Sequence, residues 1–239
     1  MTIEFRPPRP GEEPQLRALF TEAFGDEGFT DLFFRTGYSP ARCLTAVDGE
    51  ILAALHWFEC ALGGQRAAYL YGIATFERHR SKGIGTKLIR AALDRLAGPV
   101  LLVPAEPSLF AYYERLGFRT VSTIREQSIA AGTPLPLRRL SAAEYAGLRR
   151  KYLPARSLLQ EGPCLDLLAG YAGFYATGHA VAAVTDATVW ELLGDVSEAP
   201  GLIAALGIPR ATVRTPGGGR PFAMGIGIDG PIYLGLAFD

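Results

Sequence analysis

The sequence predicts an α/β (α+β) protein, and three observations predict it. Runs of strand length, alternating or wholly apolar, recur between segments with apolar residues at helical spacing. Glycine or proline stands at most of the boundaries between them. Hydrophobic residues make up 49% of the 239 positions against 20% charged, enough to bury a core in one large domain or two modest ones.

Taken in order, Thr2 to Phe5 reads as a short strand. Glu12 to Phe24 carries Leu16, Leu19, Phe20 and Ala23 at helical spacing and stops at Gly25. Phe29, Leu32, Phe33 and Phe34 predict a second, short helix over the core. Cys43 to Val47 and Ile51 to Phe58 flank Asp48-Gly49, a hairpin signal. After Gly63-Gly64 a strand is expected from Ala67 to Thr75. A helix follows with Leu88, Ile89, Ala92, Leu93 and Leu96 on one face, stopped by Gly98-Pro99. Val100 to Val103 fits a strand buried on both faces, Ser108 to Leu116 a helix closing at Gly117, and Phe118 to Ile129 a returning strand.

The turn-rich Ala131-Gly-Thr-Pro-Leu-Pro136 marks a connector over 131–137, between a unit of residues 1–130 and a second of residues 138–239. In the second, Val181 to Val184 and Val189 to Leu193 form a strand pair around Asp186-Ala187. Ser197 caps a helix through Leu202, Ile203 and Leu206. Strands are expected at Ala211 to Arg214, Phe222 to Ile228 and Ile232 to Phe238. This strand-strand-helix-strand order resembles the middle of the first unit; an internal duplication and a coincidental α/β half both account for it.

Bulk charge points to no polyanionic partner, since 24 basic and 24 acidic side chains balance and the pI is about 6.8. Neither nucleic acid nor a membrane is expected. The three cysteines, Cys43, Cys60 and Cys164, are far apart and odd in number, so no disulfide framework and no metal site is suggested, and a reducing cytoplasm is the natural compartment. The start runs into Pro7, Pro8 and Pro10, unlike a signal peptide. No apolar run reaches the about 18 residues of a membrane span.

Chemistry concentrates in Thr75-Phe-Glu-Arg-His-Arg-Ser-Lys-Gly-Ile-Gly-Thr-Lys-Leu88, a glycine-rich turn between a strand and an amphipathic helix. A helix N-terminus leaves N–H groups unpaired and favours negative charge, so a phosphate is the expected guest. Gly83 and Gly85 allow close approach, and Arg78, Arg80, Lys82 and Lys87 add positive potential. A nucleoside-triphosphate loop would need Gly-Lys-Ser/Thr where Gly85-Thr86-Lys87 stands, and the dinucleotide fingerprint would need glycine or alanine where Leu88 stands. Gly225-Ile-Gly-Ile-Asp-Gly230 has the fingerprint spacing, but Pro231 follows instead of a helix; it reads as a strand ending in a turn.

Arg80-Ser81-Lys82-Gly83-Ile84-Gly85 resembles the R/Q-x-x-G-x-G/A acyl-CoA loop of the GNAT superfamily of N-acyltransferases, and Tyr112-Tyr113-Glu114-Arg115-Leu116-Gly117-Phe118 resembles its F-Y-x-x-x-G-F motif. The resemblance covers about residues 1–130; the rest resembles the truncated second acyltransferase-like half of some two-part members and has no such loop. It implies a GNAT-type mixed central sheet flanked by helices, followed by a smaller strand-rich α/β C-terminal half. The implied activity is that of an acetyl-CoA-dependent N-acetyltransferase acting on a primary amine of a small molecule or peptide.

Carried over position by position, the backbone of Ser81, Lys82, Gly83, Ile84, Gly85 and Thr86 would hold the CoA pyrophosphate, with Arg80 opening the motif. Ile73, Ala74 and Thr75 would bind the pantetheine arm through their backbone. Tyr113 would protonate the departing thiolate, while Tyr112 packs. Glu106 and Leu109 stand where the family often has asparagine and alanine, and Ser108 is the candidate substitute for the lost cofactor contact. For the base or a water relay, His56 comes first and Glu59 second, although a half-buried histidine on such a strand more often packs. Tyr69 and Tyr71 share the strand face of Ile73, where lining the amine site and a core or rim role are both open; the C-terminal carboxylate of Asp239 is a further candidate. His79 and His179 read as surface residues. A non-catalytic acyl-CoA-binding regulatory or interaction module is the other reading, and a homodimer stays open.

Overall fold

In the computed structural model, which describes residues 3–237, a sheet of 13 strands runs through the molecule. One arm is built from β1 (Glu4–Arg6), β2 (Cys43–Asp48), β3 (Glu50–Leu62), β4 (Gln65–Thr75) and β5 (Val100–Leu102). Two strands form the centre, β6 (Arg119–Ala130) and, from near the end of the chain, β13 (Arg220–Ile226). The other arm contains β7 (Arg138–Leu140), β9 (Gly173–Ala176), β10 (Ala180–Thr185), β11 (Thr188–Gly194) and β12 (Arg210–Pro216); the short β8 (Leu158–Leu159) pairs with the end of β3. Across the sheet the order is β1-β2-β3-β4-β5-β13-β6-β12-β11-β10-β9-β7. β6 follows β5 in the chain but pairs with β12, and β13 follows β12 but pairs with β5.

Seven helices cover the two faces among the described residues. On one face, α1 (Glu13–Phe24), α2 (Glu27–Thr36), α5 (Ala142–Tyr152) and α6 (Pro163–Ala169) share a hydrophobic cluster that spans both arms. On the other, α3 (Ile84–Leu93) and α4 (Ser108–Glu114) pack on the first arm, and α7 (Ala199–Ala205) on the second, each over its own cluster. The local signals explain the ends. Gly25 takes the left-handed conformation (φ 72°) and its N–H closes α1 on the Thr21 carbonyl, while the Asp26 side chain accepts from Phe29 N–H to start α2. α5 opens on a reciprocal capping box between Ser141 and Glu144.

The expected strand at Ile232 to Phe238 does not form; Phe238 lies outside the described residues, and 232–237 joins no ladder beyond an isolated bridge between Tyr233 and Ser157. The segment instead threads the core and satisfies its backbone piecemeal. Ile232 N–H donates to Val121 O, Tyr233 N–H to Arg156 O, and Gln160 Nε2 to Leu236 O. Its apolar run is therefore a buried connector, for which every backbone group still needs a partner. No helix among the described residues is long and apolar enough to cross a membrane.

Candidate active site

The site begins with an irregularity in β4. Ala54 pairs with Ala74 and His56 with Tyr71, so Gly72 and Ile73 together face the single residue Leu55. This is a bulge, and Gly72 adopts φ 57°. A Cβ there would stand 2.9 Å from Phe20 and 3.2 Å from His56, which accounts for glycine. The extra residue reverses the alternation of side chains. Tyr69 and Tyr71 pack into the cluster under α1 and α2, while Ile73 packs on the face of α3 and α4. The expectation that the two tyrosines share the face of Ile73 is thereby corrected: it assumed an unbroken period of two.

On its other side β4 leaves its neighbour just before the bulge. It pairs with β5 only at Ala68–Val100 and Tyr69–Leu101, and the strands then diverge around a cavity of about 180 Å³. Leu70, Ile73, Leu102, Leu109 and Tyr113 line this slot together with Phe24, Phe29, Tyr69 and Tyr71. A second cavity, about 330 Å³, neighbours it along β4 and α4, where Thr75 succeeds Ile73 and Tyr112 succeeds Tyr113; its other walls are His79, Arg80, Ser81, Gly83, Ile84, Gly85 and Thr86.

The turn that builds the second cavity is shaped by its backbone. Ser81 (φ 62°) and Gly83 (φ 72°) both lie in the left-handed region, and α3 starts directly after Gly83 with no side chain capping it. The space over Gly83 is open to 4 Å, so the N–H groups that a helix leaves unpaired at its head are accessible at the start of α3. Arg80 Nε donates to Thr75 O at 3.1 Å and Lys82 Nζ to Arg78 O at 2.9 Å, pinning the turn to β4. Arg78 is turned away, paired with Glu50 at 2.7 Å, and His79 meets the same carboxylate at 3.1 Å. Among the described residues Arg80, Lys82 and Lys87 form no ion pair, which leaves their charge available to a polyanionic group in the cradle. Thr86 and Tyr112 hydroxyls, 3.2 Å apart, tie α3 to α4 at its edge.

Tyr113 is 8% exposed and lines the slot. Burial, with a smaller contribution from Tyr112, pushes its hydroxyl above the ordinary phenol value of 10, so it keeps its proton at neutral pH. His56 is placed differently. Its ring is 4% exposed among Phe20, Phe33, Phe34 and Tyr38, it lines neither cavity, and its Nδ1 has no hydrogen-bond partner. Burial lowers its pKa to about 3, which keeps it neutral. Glu59 lies elsewhere, paired with Arg66 at 2.7 Å. Ser108 opens α4 outside both cavities, its hydroxyl on Glu106 at 3.2 Å, and Asp239 lies outside the described residues. The alternation that puts Ile73 and Thr75 along the cavities sends Ala74 into the core. Sequence reasoning did not assign Phe24 and Phe29 to the site; the only signal was an aromatic residue at the last position of α1, off the face of Leu16 and Leu19.

The head of α3, ringed by basic side chains, thus lies beside a β4–β5 slot that holds a protonated tyrosine. The family model of the acetyltransferase (GNAT) domain matches residues 4–121. A GCN5-related N-acetyltransferase from Anabaena variabilis superposes with a TM-score of 0.69 at 12% identity, over 94% of this chain and 72% of that one. A conserved protein of Enterococcus faecalis gives 0.67 at 13% identity over the same shares, and a GCN5-related N-acetyltransferase from Kribbella flavida 0.64 at 17%, over 94% and 70%. At such identities these structures share the fold. No curated protein sequence matches the chain. Residues 4–121 therefore match a GNAT acetyltransferase domain, and the chain shares the fold of these structures.

Proposed function

We propose that the protein transfers the acetyl group of acetyl-CoA directly to a primary amine. The observation that carries the reading is the placement of Tyr113: protonated, in the slot where β4 and β5 diverge, next to the cradle at the head of α3. The residues fit the co-substrate. Backbone N–H groups of 81–86, with Arg80, Lys82 and Lys87 around them, would hold the pyrophosphate, and Ile73 to Thr75 of β4, which among the described residues pair with no strand on the β5 side, would offer their backbone to the pantetheine amides.

In the reaction the amine nitrogen adds to the thioester carbonyl carbon; the C–N bond forms and the C–S bond breaks. Tyr113 gives its hydroxyl proton to the departing thiolate and is reprotonated from the proton the nitrogen loses, so amine and acetyl-CoA become amide and CoA thiol. The thioester is already activated, so the protein's contribution is to align the partners and supply that proton. His56, sealed in its aromatic surround, packs in this reading; an amine arriving as the ammonium ion loses that first proton to water at the mouth of the slot, before attack, and only the second, lost as the amide forms, returns to Tyr113.

The experiment is thiol release from acetyl-CoA as a function of added amine, for wild type and Tyr113→Phe. The variant is expected to lose about 100- to 10,000-fold in kcat with little change in the KM for acetyl-CoA. Equal, amine-independent rates in both proteins alongside tight CoA binding would instead favour a non-catalytic acyl-CoA-binding module.

A further inference from the structure

Resting on the transferase reading, we propose that the acceptor is a monoamine carried on an aromatic or aliphatic body, seated against Phe24, Phe29 and Tyr71. Phe24 is the motivating residue. It is 43% exposed, and among the described residues Val196, at 39%, is the only other large apolar side chain so exposed. Its position is not a loose end of a helix: it lines the slot, with its ring 4.5 Å from that of Phe20. Phe29, also on the slot, lies 6.2 Å from Phe20 and meets Tyr171 edge-on at 5.5 Å.

The slot passes through the sheet. Ile73, Leu109 and Tyr113 belong to the face of α3 and α4, where the phosphate cradle lies, whereas Phe29, Tyr69 and Tyr71 belong to the opposite face, under α1 and α2. With CoA entering from the cradle side, an amine reaches the thioester from the other side, past these rings. No lining side chain of the slot is a carboxylate among the described residues. Two nearby ones are engaged by backbone: Asp26 accepts from Phe29 N–H and Glu22 from Glu77 N–H. A second ammonium would lose hydration here without a counter-charge, while an apolar body would gain by leaving water.

The test compares 2-phenylethylamine with ethylamine, which differ only by the ring, and with spermidine, on the full chain with acetyl-CoA. We expect kcat/KM for 2-phenylethylamine to exceed that for ethylamine by roughly 10- to 100-fold. Phe24→Ala should cut this ratio several-fold, and Val196→Ser, remote from the slot, should leave it unchanged. A direct titration of 2-phenylethylamine onto the CoA-loaded protein reads the same contact without turnover, and Phe24→Ala should weaken it. Equal use of ethylamine, or preference for spermidine, overturns the acceptor class and leaves the transferase standing. Faster turnover of octanoyl-CoA than acetyl-CoA with no advantage of the ring assigns the apolar wall to the acyl chain and also overturns it. Phe24-dependent binding with no turnover of any amine would sink the transferase reading while keeping the apolar pocket.

Discussion

Two buried ionisable side chains, Tyr113 and His56, are held neutral by the same physical cause and are predicted to respond to pH in different ways. Burial raises the Tyr113 pKa above 10, so the proton that the proposed mechanism takes from it would stay in place across the range in which a primary amine becomes nucleophilic. We therefore expect kcat/KM to rise with pH as the amine deprotonates, with no descending limb below about pH 10 in a pH–rate profile. A descending limb near pH 8 that disappears in Tyr113→Phe would assign a depressed pKa to this residue and contradict the assignment. His56 has a folded pKa of about 3 against 6.5 for the free side chain, so below pH 6.5 the unfolded chain binds a proton that the folded one refuses. Stability from this group is full above pH 6.5 and is lost as pH falls toward 3. Between pH 7 and pH 5 the loss is about 2 kcal/mol. Urea unfolding at the two pH values should show that drop in wild type and a smaller one in His56→Leu; equal drops would mean the imidazole is already charged or solvated in the fold.

At the scale of elements, the site depends on β4 breaking its own pattern. Gly72→Ala must place a Cβ at φ 57° and within 2.9 Å of Phe20, a strain of about 1–3 kcal/mol. Relief of that strain would straighten the bulge and draw Leu70 to Thr75 back toward β5. We expect a thermal midpoint lower by several degrees together with weaker acetyl-CoA binding by calorimetry. Gly64→Ala, also at positive φ (81°) but with nothing within 4 Å, should lower the midpoint alone. If both variants bind acetyl-CoA as wild type does, the bulge does not set the slot. The same element marks where legibility in the sequence ends. Arg80–Gly85 and Tyr112–Phe118 are contiguous, and their strand-turn-helix context can be read directly. The bulge is announced only by a lone glycine inside a strand, and the face on which Tyr71 stands depends on it. α5 was not legible because the residues it buries are Tyr145 and Arg149, an aromatic and a charge rather than an aliphatic stripe. What makes that arginine a core residue is Glu191, 42 positions away.

Across the whole molecule the strand order reads the same from both ends, and each arm contains one parallel pair meeting at two residue pairs, β4 with β5 and β11 with β12. In the first arm the residue two positions beyond the last pair is Tyr71, which lines the slot; in the second it is Glu191, fully buried. Its carboxylate accepts from Arg149 at 2.6 and 2.9 Å, Tyr145 at 2.8 Å and Tyr233 at 2.9 Å. Four donors satisfy that charge, so this part of the second arm is a polar lock rather than a cleft. The arms repeat one strand order and exchange their last strands, the first with an open slot beside its parallel pair and the second with a buried ion pair there. The exchange has a mechanical consequence. Among the described residues β6 pairs only with β12 and β13, and β5, one wall of the slot, is held on its far side by β13 through Met224–Leu102, Gly225–Leu101 and Ile226–Val100. A chain cut after Ala130 would leave β6 without a partner and β5 held only by its two-residue contact with β4. Residues 1–130 alone are therefore expected to lack a cooperative unfolding transition and to bind no acetyl-CoA. Co-expression with residues 131–239 should restore both, since the lost contacts are ladders between the pieces and not the peptide bond joining them. A folded 1–130 fragment that binds acetyl-CoA as tightly as the full chain would show that the first arm closes its own sheet and that the second is dispensable to the slot.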